Sequence, residues 1–209
     1  MLLSGKELQF MSSNDVVKDY LSDAISSFHS YKKLADNAIV QVKDDELFVT
    51  IDEEANSIAI VMKHMAGNMF SRWTDFLTSD GEKPNRNRDL EFVIESKNRE
   101  ELLAYWESGW QCLFGAVEPL QLEDFEKVIT IRGQKHSIVQ ALNRQLTHYA
   151  YHIGQIVFLA KHFRSSEWKS LSIPKNKSAA FNQFLGEGKA AGQDRMNVAM
   201  TFAKDTDSK

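Results

Sequence analysis

Only three prolines, Pro84, Pro119 and Pro174, interrupt the chain, and they stand far apart, so long helices can run between them. The apolar residues use that freedom. Over residues 13–42, Val17, Tyr20, Leu21, Ala24, Phe28, Tyr31, Leu34, Ala35 and Ala38 recur at steps of three and four, which predicts one amphipathic helix with Ser12 or Ser13 as its N-cap. A second helix is expected from Asn56 or Ser57 to about Leu77, with Ile58, Val61, Met62, Met65, Met69 and Phe76 on its apolar side. Gly67 inside it costs roughly 1 kcal/mol against alanine and suits the close approach of another backbone. Asn98 and Glu101 form a capping-box pattern that opens a third helix, rich in Trp and Phe, which stops before Pro119. Ser137 caps a fourth, over residues 137–163.

The segments between these helices read differently. Residues 43–54 form an acidic connector whose centre, Leu47 to Ile51, suits a short extended piece. Residues 78–97 are long for a loop and are expected to form a surface excursion between helices. Residues 126–136 alternate in polarity around a turn at Gly133, the pattern of a small β-hairpin. The expected fold is all-α, a four-helix bundle with a hairpin before the fourth helix. Residues 1–185 form its single domain, with a short helix over 178–185. Residues 186–209, small, polar and Gly-rich, form a flexible tail.

Composition narrows the function classes. The formal net charge is −4, which argues against a basic nucleic-acid footprint. A single cysteine, Cys112, excludes an internal disulfide and any Cys-rich zinc site, and suits a reducing compartment. No apolar run reaches the length of a membrane span, and residues 1–15 lack a secretory pattern, so the expected location is cytoplasmic.

Chemistry enters with the histidines. His148 and His152 stand at i, i+4 in the fourth helix, which stacks both imidazoles on one face. The position after His148 is not glutamate, so this is not the HExxH of zinc proteases. At about 100° per residue, Gln145, His148, His152 and Gln155 share one stripe at the edge of the apolar face. His64 and Asn68 share a corresponding stripe on the second helix. Buried imidazoles need partners, which local hydrogen bonds from Gln145 and Gln155, or a metal, would supply. Three neutral imidazoles on facing helices would hold Zn²⁺, Ni²⁺ or Fe²⁺ and leave a coordination position open. His29, His136 and His162 lack polar stripe mates and are expected at the surface or on the hairpin. Cys112 and the Met65–Met69 stripe read as core. Arg72, Arg86, Arg88 and Arg144 could meet an anionic substrate, although solvated surface charges are the commoner explanation.

A histidine in the second helix, the turn Arg132-Gly133-Gln134, and a Ser-capped fourth helix carrying His148-Tyr149-Ala150-Tyr151-His152-Ile153-Gly154-Gln155 together resemble the DinB superfamily, which includes YfiT-like metalloenzymes. His64-Met-Ala-Gly-Asn68 and the stretch from Arg72 to Pro84 look like one branch of it. The resemblance covers most of residues 13–165. It implies an up-down-down-up bundle, a divalent metal on His64, His148 and His152, and a homodimer. It also implies metal-dependent chemistry on a small molecule, of the hydrolase or thiol S-transferase type, with a low-molecular-weight thiol as a further cofactor. Asn68, Gln145, Tyr149 and Gln155 are the matching candidates to support the ligands or touch substrate. With no carboxylate after His148, the general base would be a metal-bound hydroxide or another residue. The alternative is a non-catalytic dimeric binding protein that keeps a structural or vestigial metal site.

Overall fold

Short polar side chains start every long helix, each supplying about 1 kcal/mol by satisfying N–H groups that the helix itself leaves unpaired. Ser12 Oγ accepts from the Asp15 N–H at 3.2 Å and opens α1 (Ser13–Ile39). Ser57 Oγ accepts from Ile60 at 3.2 Å and opens α2 (Ile58–Trp73). Asn98 Oδ1 accepts from Glu100 and Glu101 and opens α3 (Arg99–Val117). Ser137 and Gln140 cap each other's backbone at the start of α4 (Ile138–Arg164). A two-stranded antiparallel hairpin, β1 (Val128–Ile131) and β2 (Gln134–Ser137), leads directly into α4, and a short α5 (Ser178–Gly186) follows it. The structure, a computed structural model, describes residues 10–188 and 198–203. Among these, no helix is long and apolar enough to cross a membrane.

The chain is mostly helical, and its core lies where the apolar stripes meet. α2 packs along α3, α1 along α4, and α2 also against α4. Phe28, Trp106, Trp110, Tyr149, Leu113 and the methionines 62, 65 and 69 are wholly or almost wholly buried there. The third-helix tryptophans therefore turn inward, with the Trp106 indole N–H donating to Asp36 at 2.9 Å. The close backbone approach expected at Gly67 occurs at Gly109 instead. A Cβ on Gly109 would lie 2.9 Å from the Ala66 Cα, so glycine is what lets α3 sit against α2.

Two connectors differ in part from expectation. The extended piece expected at Leu47 to Ile51 begins instead as a 3₁₀ turn (Glu46–Phe48) that buries Leu47 against α2 and becomes extended at Val49, and among the described residues no strand lies beside it to pair with. The 78–97 stretch is largely exposed, as a surface excursion is, but it is pinned to the fold at Gly81 and Glu91, both buried. α2 ends where Asp75 takes a left-handed φ of 48°. The chain then runs onto the hairpin, where the Gly81 N–H donates to the Thr130 carbonyl at 2.8 Å. The Asp80 carboxylate accepts from the backbone N–H groups of Glu82 at 2.7 Å and of Arg132 and Gly133 at 2.8 Å each. Arg132 and Gly133 both have positive φ, 56° and 71°, the backbone of a tight two-residue hairpin turn. One carboxylate thus ties the crossover to the hairpin.

Those N–H groups, led by Glu82 and Gly133, hold the Asp80 carboxyl well below the usual carboxylate range. Its contribution to stability is fully present above the unfolded-chain value of about 3.9 and is lost as pH falls below it. Asp80→Asn is therefore expected to lower the melting temperature at neutral pH and to flatten its fall between about pH 4 and pH 2. Melting curves followed by circular dichroism across that range check this, and parallel pH profiles for the two proteins would refute it.

Within the segment expected to be a flexible tail, residues 198–203 are helical and bury Val198, Met200, Phe202 and Ala203. Phe202 packs edge-on against both Phe181 and Phe184 of α5. The rest of that expectation falls on residues 189–197 and 204–209, outside the described residues.

Candidate metal centre

The packing of α2 against α4 brings the one histidine of α2 over the pair on α4. His64 Nε2 lies 3.4 Å from His148 Nε2, and His152 Nε2 lies 3.1 Å from the same atom. All three donor atoms fall within 4.8 Å of one another, and among the described residues no fourth histidine, cysteine or carboxylate joins them. A tetrahedral ion bonded to each nitrogen at about 2.0–2.1 Å spaces its donors about 3.3 Å apart. The two closest separations bracket that value. His64 is buried, while His148 and His152 are half-buried, as expected for the edge of a core face.

On two of the three rings the other nitrogen fixes the tautomer. His64 Nδ1 donates to Glu91 Oε2 at 2.8 Å, and His152 Nδ1 donates to Gln155 Oε1 at 2.8 Å. Both Nε2 atoms are then bare lone pairs, and both face His148 Nε2, which can carry one proton at most. Without a cation the two Nε2 lone pairs compete for that one proton, whereas an ion bound to all three would use every Nε2 lone pair; His148 Nδ1 is buried with no hydrogen-bond partner among the described residues, so no hydrogen bond fixes that ring. Burial, then the neighbouring His152 and His64, push the His148 pKa down to about 3. Burial likewise lowers His152, against the raising effect of its bond to Gln155. Neutral imidazole is the form that binds metal.

Glu91 is the residue that sequence reasoning missed. It is 5% exposed, and Arg86 grips it from the far side through two hydrogen bonds of 2.8 and 2.9 Å. Burial alone would raise its carboxyl, but the hydrogen bonds from His64 and Arg86 outweigh that and hold it below the ordinary range. A Cβ on Gly67 would lie 2.5 Å from Glu91 Oε1, so the glycine in α2 makes room for a carboxylate, not for a backbone. The network extends further. Glu82 Oε2 accepts from Arg72, Arg86 and Arg132 at 2.9, 3.3 and 3.1 Å. Arg72 and Arg86 are thus enclosed ion-pair partners and not solvated surface charges.

Residues 15–177 match the profile of a family described as protein of unknown function, DUF1572. The chain belongs to the DUF1572 family. No curated protein and no solved structure matches it. The DUF1572 match takes in all three histidines, Glu91 and the arginine network.

The other expected site residues of this DUF1572 chain divide into two groups. Asn68 and Gln145, both buried, line a cavity of about 240 Å³ that opens beside His64 and His148. Gln155 orients His152. Tyr149 does not reach the cavity. Its hydroxyl accepts from the Trp73 indole at 3.1 Å and donates to Asn68 at 3.1 Å, so it supports the site only through Asn68. The remaining histidines stay apart from the cluster. His29 contacts Glu118 at 2.9 Å and stacks on Phe114, and His136 bonds the Gln134 carbonyl within the hairpin.

Proposed function

We propose that this chain is a metal-dependent enzyme in which His64, His148 and His152 hold one divalent ion, Zn²⁺, Ni²⁺ or Fe²⁺. The chemistry would be of the hydrolase or thiol S-transferase type on a small molecule. The observation that carries this reading is the convergence of three Nε2 lone pairs beside a cavity, with no fourth protein donor among the described residues. A bound ion would act as a Lewis acid, lowering the pKa of a water or thiol in the open position. The chain's own residues do the rest. Glu91 and Gln155 hold the rings of His64 and His152 in the metal-binding tautomer. Asn68 and Gln145 present amide groups to whatever enters the cavity. Glu91, engaged by both His64 and Arg86, is not free to act as a general base. The resemblance to the DinB superfamily supports the same assignment, through the order of the three histidines and the His-x-x-x-His-x-Gly-Gln run in α4.

Metal analysis tests the reading directly. Protein purified without nickel affinity chromatography and supplied with zinc, nickel and ferrous iron in turn is expected to retain on the order of one ion per chain after dialysis. Folded protein that retains none of the three would overturn it.

A further inference from the structure

The cavity beside the histidines is lined by five arginines, Arg72, Arg86, Arg88, Arg132 and Arg144, and by no carboxylate. This is not a composition effect, since the chain as a whole carries a net charge of −4. The arginines come from separate parts of the fold: α2, the crossover, the hairpin turn and α4. Two carboxylates stand behind them, Glu82 and Glu91, and these engage Arg72, Arg86 and Arg132. Arg88 and Arg144 have no carboxylate partner among the described residues, and both side chains lie at the exposed rim. Arg88 lies 5.0 Å over the ring of Phe92, which steadies its guanidinium without neutralising it.

A further observation points to a ligand. Gln145 is 2% exposed, and its Oε1 has no hydrogen-bond partner among the described residues although the side chain lines the cavity. A buried amide of that kind normally finds a partner.

We propose that this cavity is an oxyanion-binding subsite, and that the substrate is a small molecule carrying a carboxylate or phosphate group. Guanidinium forks match both groups in charge and in planar, two-point geometry. In the subsite Arg88 and Arg144 take the anionic group, Arg132 backs them from the hairpin turn, and Gln145 Oε1 accepts from a hydroxyl or amine N–H of the same molecule. Arg72 and Arg86, already paired, set the positive field and hold the wall. The volume lies below the about 300–1,000 Å³ of sites for drug-sized ligands, so the molecule is small. The substrate's reacting end then lies against His64 and His148, which line the same cavity. That last step rests on the metal-dependent reading above, whereas the subsite itself does not.

Calorimetric titration of the full chain with inorganic phosphate, and separately with succinate, tests this in phosphate-free buffer. It is run on metal-loaded and on chelated protein, with metal content measured on each sample. At least one probe is expected to bind saturably at one site. The Arg88→Gln/Arg144→Gln double variant, which alters only rim side chains, is expected to bind it at least tenfold more weakly with unchanged metal content. The probe that binds tells phosphate from carboxylate. No saturable binding of either, or equal binding by the double variant, would overturn the proposal. Oxyanion binding by a protein that takes up no metal would uphold the subsite and remove the metalloenzyme; metal uptake without oxyanion binding would do the reverse.

Discussion

Replacing His148 with alanine is expected to abolish most metal binding, and His64→Ala or His152→Ala to do the same to a similar degree. A three-donor site that loses one ligand loses both a bond and the geometry that held the ion, and its open position cannot compensate. His148 is central here, because its Nε2 is the atom that both other imidazoles approach. Replacing His29, His136 or His162 should leave occupancy unchanged, since none of them joins the cluster. Stability should follow occupancy. A ligand that binds only the folded state stabilises it by RT ln(1 + [L]/Kd), about 2.7 kcal/mol at a hundredfold excess over Kd. For a chain of this size that corresponds to roughly 5–10 °C in melting temperature. Chelation should therefore lower the melting temperature of the native protein by that amount and leave the His148→Ala variant unmoved. Equal metal content in the native protein and that variant would show the three imidazoles to be ordinary residues at the edge of the core.

The histidines were legible in the sequence because their signal is local. An i, i+4 pair lies on one helix face wherever the helix lies, and the polar stripe of Gln145, His148, His152 and Gln155 marks the edge of the buried side. Helix starts were legible for the same reason: Ser57, Asn98 and Ser137 cap through atoms two or three residues away. Glu91 was not legible. It lies 27 residues from His64, in a stretch without helical or strand periodicity. What brings it back is a chain of non-local bonds, from Asp80 to the hairpin and from Glu82 to three arginines. One trace of it was present. Gly67 falls three residues after His64 in an otherwise well-formed helix, and a glycine there has a use only if something larger must fit against that face. Arg72 and Arg86 misled for a related reason, since a side chain's burial depends on neighbours that local spacing does not name, whereas Arg88 and Arg144 are exposed as expected.

Glu91 should accordingly control both metal affinity and folding, and the two can be separated. Glu91→Ala leaves the Arg86 guanidinium enclosed without its main partner, and breaking a buried pair from one side costs about 3–5 kcal/mol. Such a variant would bind metal poorly even if only because it is poorly folded. Glu91→Gln keeps the volume and one oxygen for His64 Nδ1, but removes the charge that makes the imidazole a stronger donor. Loss of such an outer partner lowers metal affinity by about 10–100-fold. Gly67→Ala provides the complementary case, because it retains the charge and displaces it: the new methyl would fall 2.5 Å from Oε1, so the carboxylate must move off His64 or α2 must shift. Chelator-competition titration should therefore show both Glu91→Gln and Gly67→Ala weakened for metal, with circular dichroism confirming that each remains helical. If both retain native affinity while their melting temperatures fall, Glu91 serves Arg86 alone and the His64 ring is held by its packing against Phe92, 5.0 Å away between ring centres. If affinity falls in both, the crossover is part of the metal site, because residues 74–98 carry to the α2 histidine a carboxylate that its own helix has room for but does not provide.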